Sequence, residues 1–273
     1  MDMNKNASVE EANTNNNNNS DTIHESSKTE SIQNNYQQQQ QNEIKGEGEE
    51  ENNNDKKVRK IIVILENASL EAARANPSRS DSKMQLLNCD EHQSILKRLG
   101  RDIADARPDI VHQCLLTLLD SPLNKAGHLE VYIRTAKGVV IRINPQCRIP
   151  RTIKRFSGLM IQLLERGFIA GSNDGNPKLL EIIQPPLAKY LPENAYKLAL
   201  SWNAPKVKLY PYFKGLELDD TPLVIAVGAM AKGEDTFADD YINEKIGISK
   251  YSLSAAVACS KVCCALEDLW DIM

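Results

Sequence analysis

The sequence predicts an α/β domain built on a largely parallel sheet, and three observations carry that prediction. The run IIVIL at 61–65 is short, β-branched and free of polar residues, as a strand covered on both faces must be. Further on, strand-like segments alternate with segments of helical periodicity, the pattern of sheet strands joined by crossover helices. Towards the carboxyl end, "PLVIAVGAMAKG" runs from an apolar strand straight into a glycine-containing loop. Open α/β sheets place small ligands at such strand ends.

The domain does not start at the first residue. Residues 1–55 contain "NTNNNNNS", "NNYQQQQQN" and "GEGEEENNND", with hardly any large apolar residue. A segment of that composition cannot bury enough surface to offset the entropy of ordering, which predicts a disordered acidic tail and one domain over 56–273. The tail holds twelve acids against three lysines, a net of −9, so the chain's −4 leaves +5 on the domain.

Taken in order, "KKVRK" is a basic flank that suits either a solvated strand start or a nuclear import signal. Asp90 is placed to cap a helix over "EHQSILKRLG" that stops at Gly100. "RPDIVHQCLLTLLDSP" reads as a helix with Pro108 in its first turn and Pro122 beyond its end. "HLEVYIRTAKGVVIRINP" is a hairpin turning at Gly138, with Leu129, Val131 and Ile133 on one face and Val139, Ile141 and Ile143 on the facing one. "RTIKRFSGLMIQLLERG" returns to helix, started by Pro150, so that Arg151 and Arg155 stack opposite Ile153, Leu159 and Leu163. Strands follow near "KLLEII", "YKLALS" and "PLVIAVG", and a helix rich in Ala, Ser and Cys closes the chain.

Charge is uneven across this domain. Between Glu130 and Glu165 there is no acid, while Arg134, Lys137, Arg142, Arg148, Arg151, Lys154 and Arg155 supply seven cations. Such a block is either a solvated face or a grip for a polyanion, and arginines at a helix start suit phosphate. Arg107 stands two residues before Asp109, where a carboxylate can hold the guanidinium fork in one orientation or simply favour the helix N-terminus.

Several chemistries are excluded. Gly228 and Gly233 mimic the first half of a phosphate-binding loop, but Glu234 and Asp235 stand where Lys and Ser/Thr are needed. Two acids there would repel a triphosphate. The dinucleotide pattern and the nucleophile elbow are both missing. The six cysteines show neither a disulfide framework nor zinc spacing, and no apolar run approaches the ~18 residues of a membrane span. A reducing, intracellular setting is expected, with no metal and no membrane.

Six segments in order, "LLNCDEHQSIL", "GRDIADARPDIVHQCLLTLLDSPLNKAG", "VYIRT", "INPQCRIPRTIKRFSGLMIQLL", "VGAMAKG" and "EKIGISKYSLSAAVACSK", carry a resemblance. From about Val58 to the end, the chain resembles the pseudouridine N1-methyltransferases of small-subunit ribosomal RNA. The resemblance implies the SPOUT class, with a C-terminal deep trefoil knot, a rare threaded topology that patterning cannot predict. It also implies S-adenosylmethionine as cofactor. Gly228, Gly233 and the loop Ile248, Ser249, Lys250, Tyr251, Ser252, Leu253 match the family's methyl-donor site, with Leu200 as a further contact. Arg107, Arg148, Arg151 and Arg155 match its RNA contacts, Asp109 orienting Arg107 for catalysis. Lys232 and Ser252 depart from the His and Pro common there, and Ser252 lacks proline's fixed φ.

The implied reaction is methylation of N1 of a pseudouridine, by a homodimer working with pre-ribosomal particle proteins in the nucleus and nucleolus. A non-catalytic RNA-binding assembly factor on the same fold is the alternative. The donor loop favours the enzyme, since a pure binder could lose it.

Overall fold

In this computed structural model, residues 59–76, 81–171, 177–218 and 221–273 are described. The Asn/Gln-rich tail and its boundary with the domain lie outside them.

Strand β1 (Ile61–Ala68) is covered on both faces: Ile61, Val63 and Leu65 enter one apolar cluster, Ile62 and Ile64 another. That is what a β-branched run without alternation demands. The chain then makes a two-stranded sheet from β2 (Ala72–Arg74) and β3 (Met84–Leu86), followed by α1 (Gln93–Arg98) and α2 (Pro108–Leu119). After α3 (Pro122–Lys125) come β4 (Leu129–Thr135), β5 (Val140–Ile143), α4 (Ile153–Arg166), β6 (Phe168–Ala170) and β7 (Lys178–Ile183). The carboxyl-terminal part adds β8 (Tyr196–Leu200), α5 (Leu209–Gly215), β9 (Leu223–Gly228), β10 (Glu244–Ile246) and α6 (Ala255–Trp270).

The main sheet has eight strands in the order β10-β8-β9-β1-β4-β5-β7-β6. Its first five run parallel, and β5, β7 and β6 add an antiparallel wing. The expected hairpin is β4–β5, turning through Gly138 at φ +78°. Val131 pairs with Ile143 and Ile133 with Ile141, so these four share one sheet face and one apolar cluster. The chain leaves β9, passes β8 to form β10, and returns as α6 to pack on α2 and α5. The resemblance places its trefoil knot in this carboxyl-terminal part of the chain.

Two expected helix starts are corrected. Asp90 caps nothing: α1 begins at Gln93, and the Asn88 carboxamide oxygen accepts from the N–H groups of Asp90 and Glu91 at 3.0 and 2.7 Å. That side chain competes successfully with the helix for its own turn. Pro150 does not start α4 either, because the helix opens at Ile153. Arg151 therefore lies before the helix rather than stacked with Arg155 on it. The buried face is Phe156, Met160 and Leu163, with Ile153 40% exposed.

Candidate functional site

Parallel strands β10, β8, β9 and β1 send their carboxyl ends, and the loops that follow, to one edge of the sheet. The loops after β8, β9 and β10 meet there around a cleft of about 530 Å³, with Arg107 at its border. That volume falls within the range of small-molecule sites.

Each loop is fastened by a specific interaction. After β8, the Ser201 hydroxyl donates to Asp235 across the cleft and accepts from the N–H groups of Asn203 and Ala204. The loop after β9 is held at its base by Ala229 N–H donating to the Glu66 carbonyl at 2.7 Å. Farther along, it is tied to a buried charge cluster. Glu66, fully buried, accepts from Arg134 and from the Tyr241 hydroxyl at 2.6 Å each, and Arg134 also donates to the Phe237 carbonyl. Burial pushes the Glu66 carboxyl up, more than the bonds from Tyr241 and Arg134 pull it down. After β10, Tyr251 N–H donates to the Ser249 hydroxyl at 2.9 Å, and Ser254 caps α6 by accepting from Val257 N–H.

The glycines serve close approach. A Cβ on Gly228 would lie 3.0 Å from the Phe237 ring, and Gly233 adopts φ +133°, a conformation side-chain-bearing residues avoid.

Arg107 immediately precedes Pro108, the first residue of α2, and its own N–H donates to the Ser69 hydroxyl at 2.9 Å. Its guanidinium grips Asp109 with two parallel hydrogen bonds, the geometry that most restricts an arginine. The Asp109 carboxylate raises the guanidinium's pKa further, so Arg107 remains charged.

The structure thus gathers Arg107, Leu200, Gly228, Gly233, Ile248, Ser249, Tyr251, Ser252 and Leu253 around one cleft. Asp109 sits behind Arg107. Lys250 is exposed and does not line the cleft. Sequence reasoning missed Trp202, Asp235 and Phe237, which do. The acids after Gly233 were the available signal for Asp235.

The acid-free stretch is also reinterpreted. Acids from elsewhere answer its cations: Arg134 pairs with Glu66, Lys137 with Glu71, Arg142 with Glu181 and Arg151 with Asp120. A gap of acids along the chain is therefore not a gap in space. The segment Arg148–Arg155 is docked on α2, the helix that Arg107 introduces. His112 Nε2 donates to the Pro150 carbonyl at 2.7 Å, its ring stacks on Phe156 at 4.6 Å, and Arg151 reaches Asp120 at the far end of α2. Arg148, Arg151 and Arg155 are exposed and lie outside the cleft lining. Among the described residues no group of His, Cys, Asp and Glu could hold a metal ion, and no helix is long and apolar enough to cross a membrane.

Comparison with known proteins bears on this arrangement. The profile of the EMG1/NEP1 methyltransferase family matches residues 63–267. A fission yeast (Schizosaccharomyces pombe) protein named ribosomal RNA small subunit methyltransferase mra1 is 54% identical over 79% of the chain, the match spanning 59% of that protein. The Homo sapiens protein named ribosomal RNA small subunit methyltransferase NEP1 is 44% identical over 79% of the chain and 84% of its own length. Among solved structures, Archaeoglobus fulgidus Nep1 bound to S-adenosylhomocysteine superposes with a TM-score of 0.63 at 26% identity, covering 78% of this chain and 99% of that one.

Proposed function

Because this chain belongs to the EMG1/NEP1 methyltransferase family, we propose that it methylates small-subunit ribosomal RNA with S-adenosylmethionine, at N1 of a pseudouridine. The observation that carries the reading is the meeting, in one cleft, of an oriented arginine with the strand-end loops containing Gly228, Gly233 and Ile248–Leu253.

The cleft's residues fit the donor. Its volume suits a nucleoside-sized ligand, and Gly228 lets backbone approach where a side chain would strike Phe237. Leu200, Gly228, Gly233, Ile248, Ser249, Tyr251, Ser252 and Leu253 would hold S-adenosylmethionine, whereas Lys250 stands outside the cleft lining. When bound, the donor supplies a methyl group on a sulfonium centre.

The protein's own part is positioning and electrostatics. Pseudouridine carries an N1–H that uridine lacks, because its glycosidic bond runs through carbon. In the transfer that nitrogen would bond to the methyl carbon as the carbon–sulfur bond breaks and the neutral thioether leaves. Its proton would pass to water, and negative charge would spread onto the base carbonyls. Arg107, charged and locked by Asp109, stabilises that charge without reorganising during reaction. Held on both sides by Arg107, Asp109 serves as orienter and not as the base.

The target base is flipped from a loop to reach the cleft. Arg148, Arg151 and Arg155, fastened to α2, hold phosphates and fix the RNA relative to Arg107. Homodimer formation, association with pre-ribosomal proteins and residence in the nucleus and nucleolus belong to the same proposal. Calorimetric titration with S-adenosylhomocysteine tests the donor site: saturable one-site binding is expected, and its absence would sink the reading.

A further inference from the structure

Trp202 is 53% exposed at the rim of the cleft, yet its surroundings hold it in place. The Lys206 ammonium donates to the carbonyls of Trp202 and Ala204 and lies 5.2 Å over the indole centroid. Ser201, one residue earlier, is pinned to Asp235. Lys206 occupies this position only because residue 247 is glycine: a Cβ there would come within 2.6 Å of Lys206 Cδ and 2.7 Å of the Ala204 carbonyl. So three segments of the chain cooperate to fix an aromatic ring that is left half in solvent. The fold gains little apolar burial from that arrangement. A flat ligand gains much from it, because the wall it stacks on is already ordered.

We propose that Trp202 is the stacking wall for the adenine ring of the methyl donor, an inference that rests on the methyl-donor reading above. Sheet order favours adenine over the RNA base. Trp202 follows β8, two residues past Leu200, whereas the Arg107 end of the cleft is fastened to the loop after β1 through Ser69. Strand β9 lies between β8 and β1. With strands ~4.8 Å apart, the two anchor lines stand about 10 Å from one another. The base met by Arg107 and the ring of Trp202 thus belong to opposite ends of the cleft, and the nucleoside end of the donor falls to Trp202. Lys206 lies over one face of a half-exposed indole, and the other face is assigned to a purine.

The chain has two tryptophans, and the other, Trp270, packs on His128 at the end of α6, outside the cleft. The test follows tryptophan fluorescence during S-adenosylhomocysteine titration of wild type and W202F, with calorimetry on both and on W202A. Quenching in wild type that is lost in W202F is expected. W202A should bind about tenfold more weakly, the worth of one stacked base, and W202F close to wild type. Equal quenching in wild type and W202F, or equal affinity in W202A, would overturn the assignment. So would quenching by an RNA hairpin but not by S-adenosylhomocysteine, which would give Trp202 to the RNA. Wild type that binds no S-adenosylhomocysteine defeats the donor reading itself, a result distinct from normal binding without a Trp202 signal.

Discussion

Arg107 and Asp109 form a two-pronged ion pair at the first turn of α2, Nε to Oδ1 at 2.8 Å and Nη2 to Oδ2 at 2.7 Å. Neighbours two apart on a helix do not face each other, so the pair exists only because Arg107 stands just outside the helix, in non-helical backbone. Asp109 fixes an arginine at the cleft border without entering the cleft itself.

This geometry separates the two residues' kinetic effects. R107A should lower methyl transfer by about 100-fold, as loss of one oriented charge-stabilising donor does. D109N, which keeps shape but surrenders charge, should cost about tenfold by letting the fork wander. Single-turnover rates measure both, and S-adenosylhomocysteine affinity should stay near wild type in each. A D109N rate equal to wild type would remove the orienting role.

Arg134 and Arg151, both from the acid-free stretch, should behave oppositely. R134A leaves Glu66 buried without its cation and should cost about 3–5 kcal/mol of stability. R151A breaks an exposed pair with Asp120 and should change stability by no more than about 0.5 kcal/mol. Only R151A should reduce the salt dependence of RNA binding, by about one charge's worth of slope. Denaturant melts and salt-dependent RNA binding check the contrast.

Gly228 carries a steric prediction. G228A puts a methyl 3.0 Å from the Phe237 ring at the floor of the cleft, and Arg134 restrains that segment through the Phe237 carbonyl. Overpacking of this kind costs about 1–3 kcal/mol, and borne by the bound state it should lower S-adenosylhomocysteine affinity by about fivefold or more. Calorimetry decides it, and an unchanged affinity would put the donor elsewhere.

Stability should depend on pH in two windows of opposite sign. Glu181 is held below its ordinary 4.5 by Lys178, against partial burial and with help from Arg142. Lys232 likewise holds Asp102 below its ordinary 3.8. Their contribution is present above those ordinary values and is lost as pH falls through the lowered ones. E181Q should therefore flatten the acid decline in melting temperature below about pH 4.5. Burial raises Glu66, so the folded chain takes up that proton first, and stability gains from it as pH falls towards 4.5. E66Q should abolish that gain.

What could be read from the chain was local. The strand at Ile61–Leu65, the Gly138 hairpin and the strand-to-loop passage at Gly228 are each written in adjacent residues, and the structure has them. What could not be read depends on partners distant in sequence. Arg134 looked like part of a polyanion grip because Glu66, 68 residues away, is invisible to local patterning. Pro150 looked like a helix start, whereas its carbonyl is an acceptor for His112. Trp202 looked like nothing, since its meaning lies in Lys206 and Gly247 around it.

The central claim is tested most directly by transfer of labelled methyl from S-adenosylmethionine to two otherwise identical RNA hairpins, one with pseudouridine in the loop and one with uridine. Label on the pseudouridine hairpin alone is the predicted result, because only that base offers an N1–H to the cleft. Label on neither hairpin, with tight binding to both, would contradict it and leave an RNA-binding assembly factor on a methyltransferase fold.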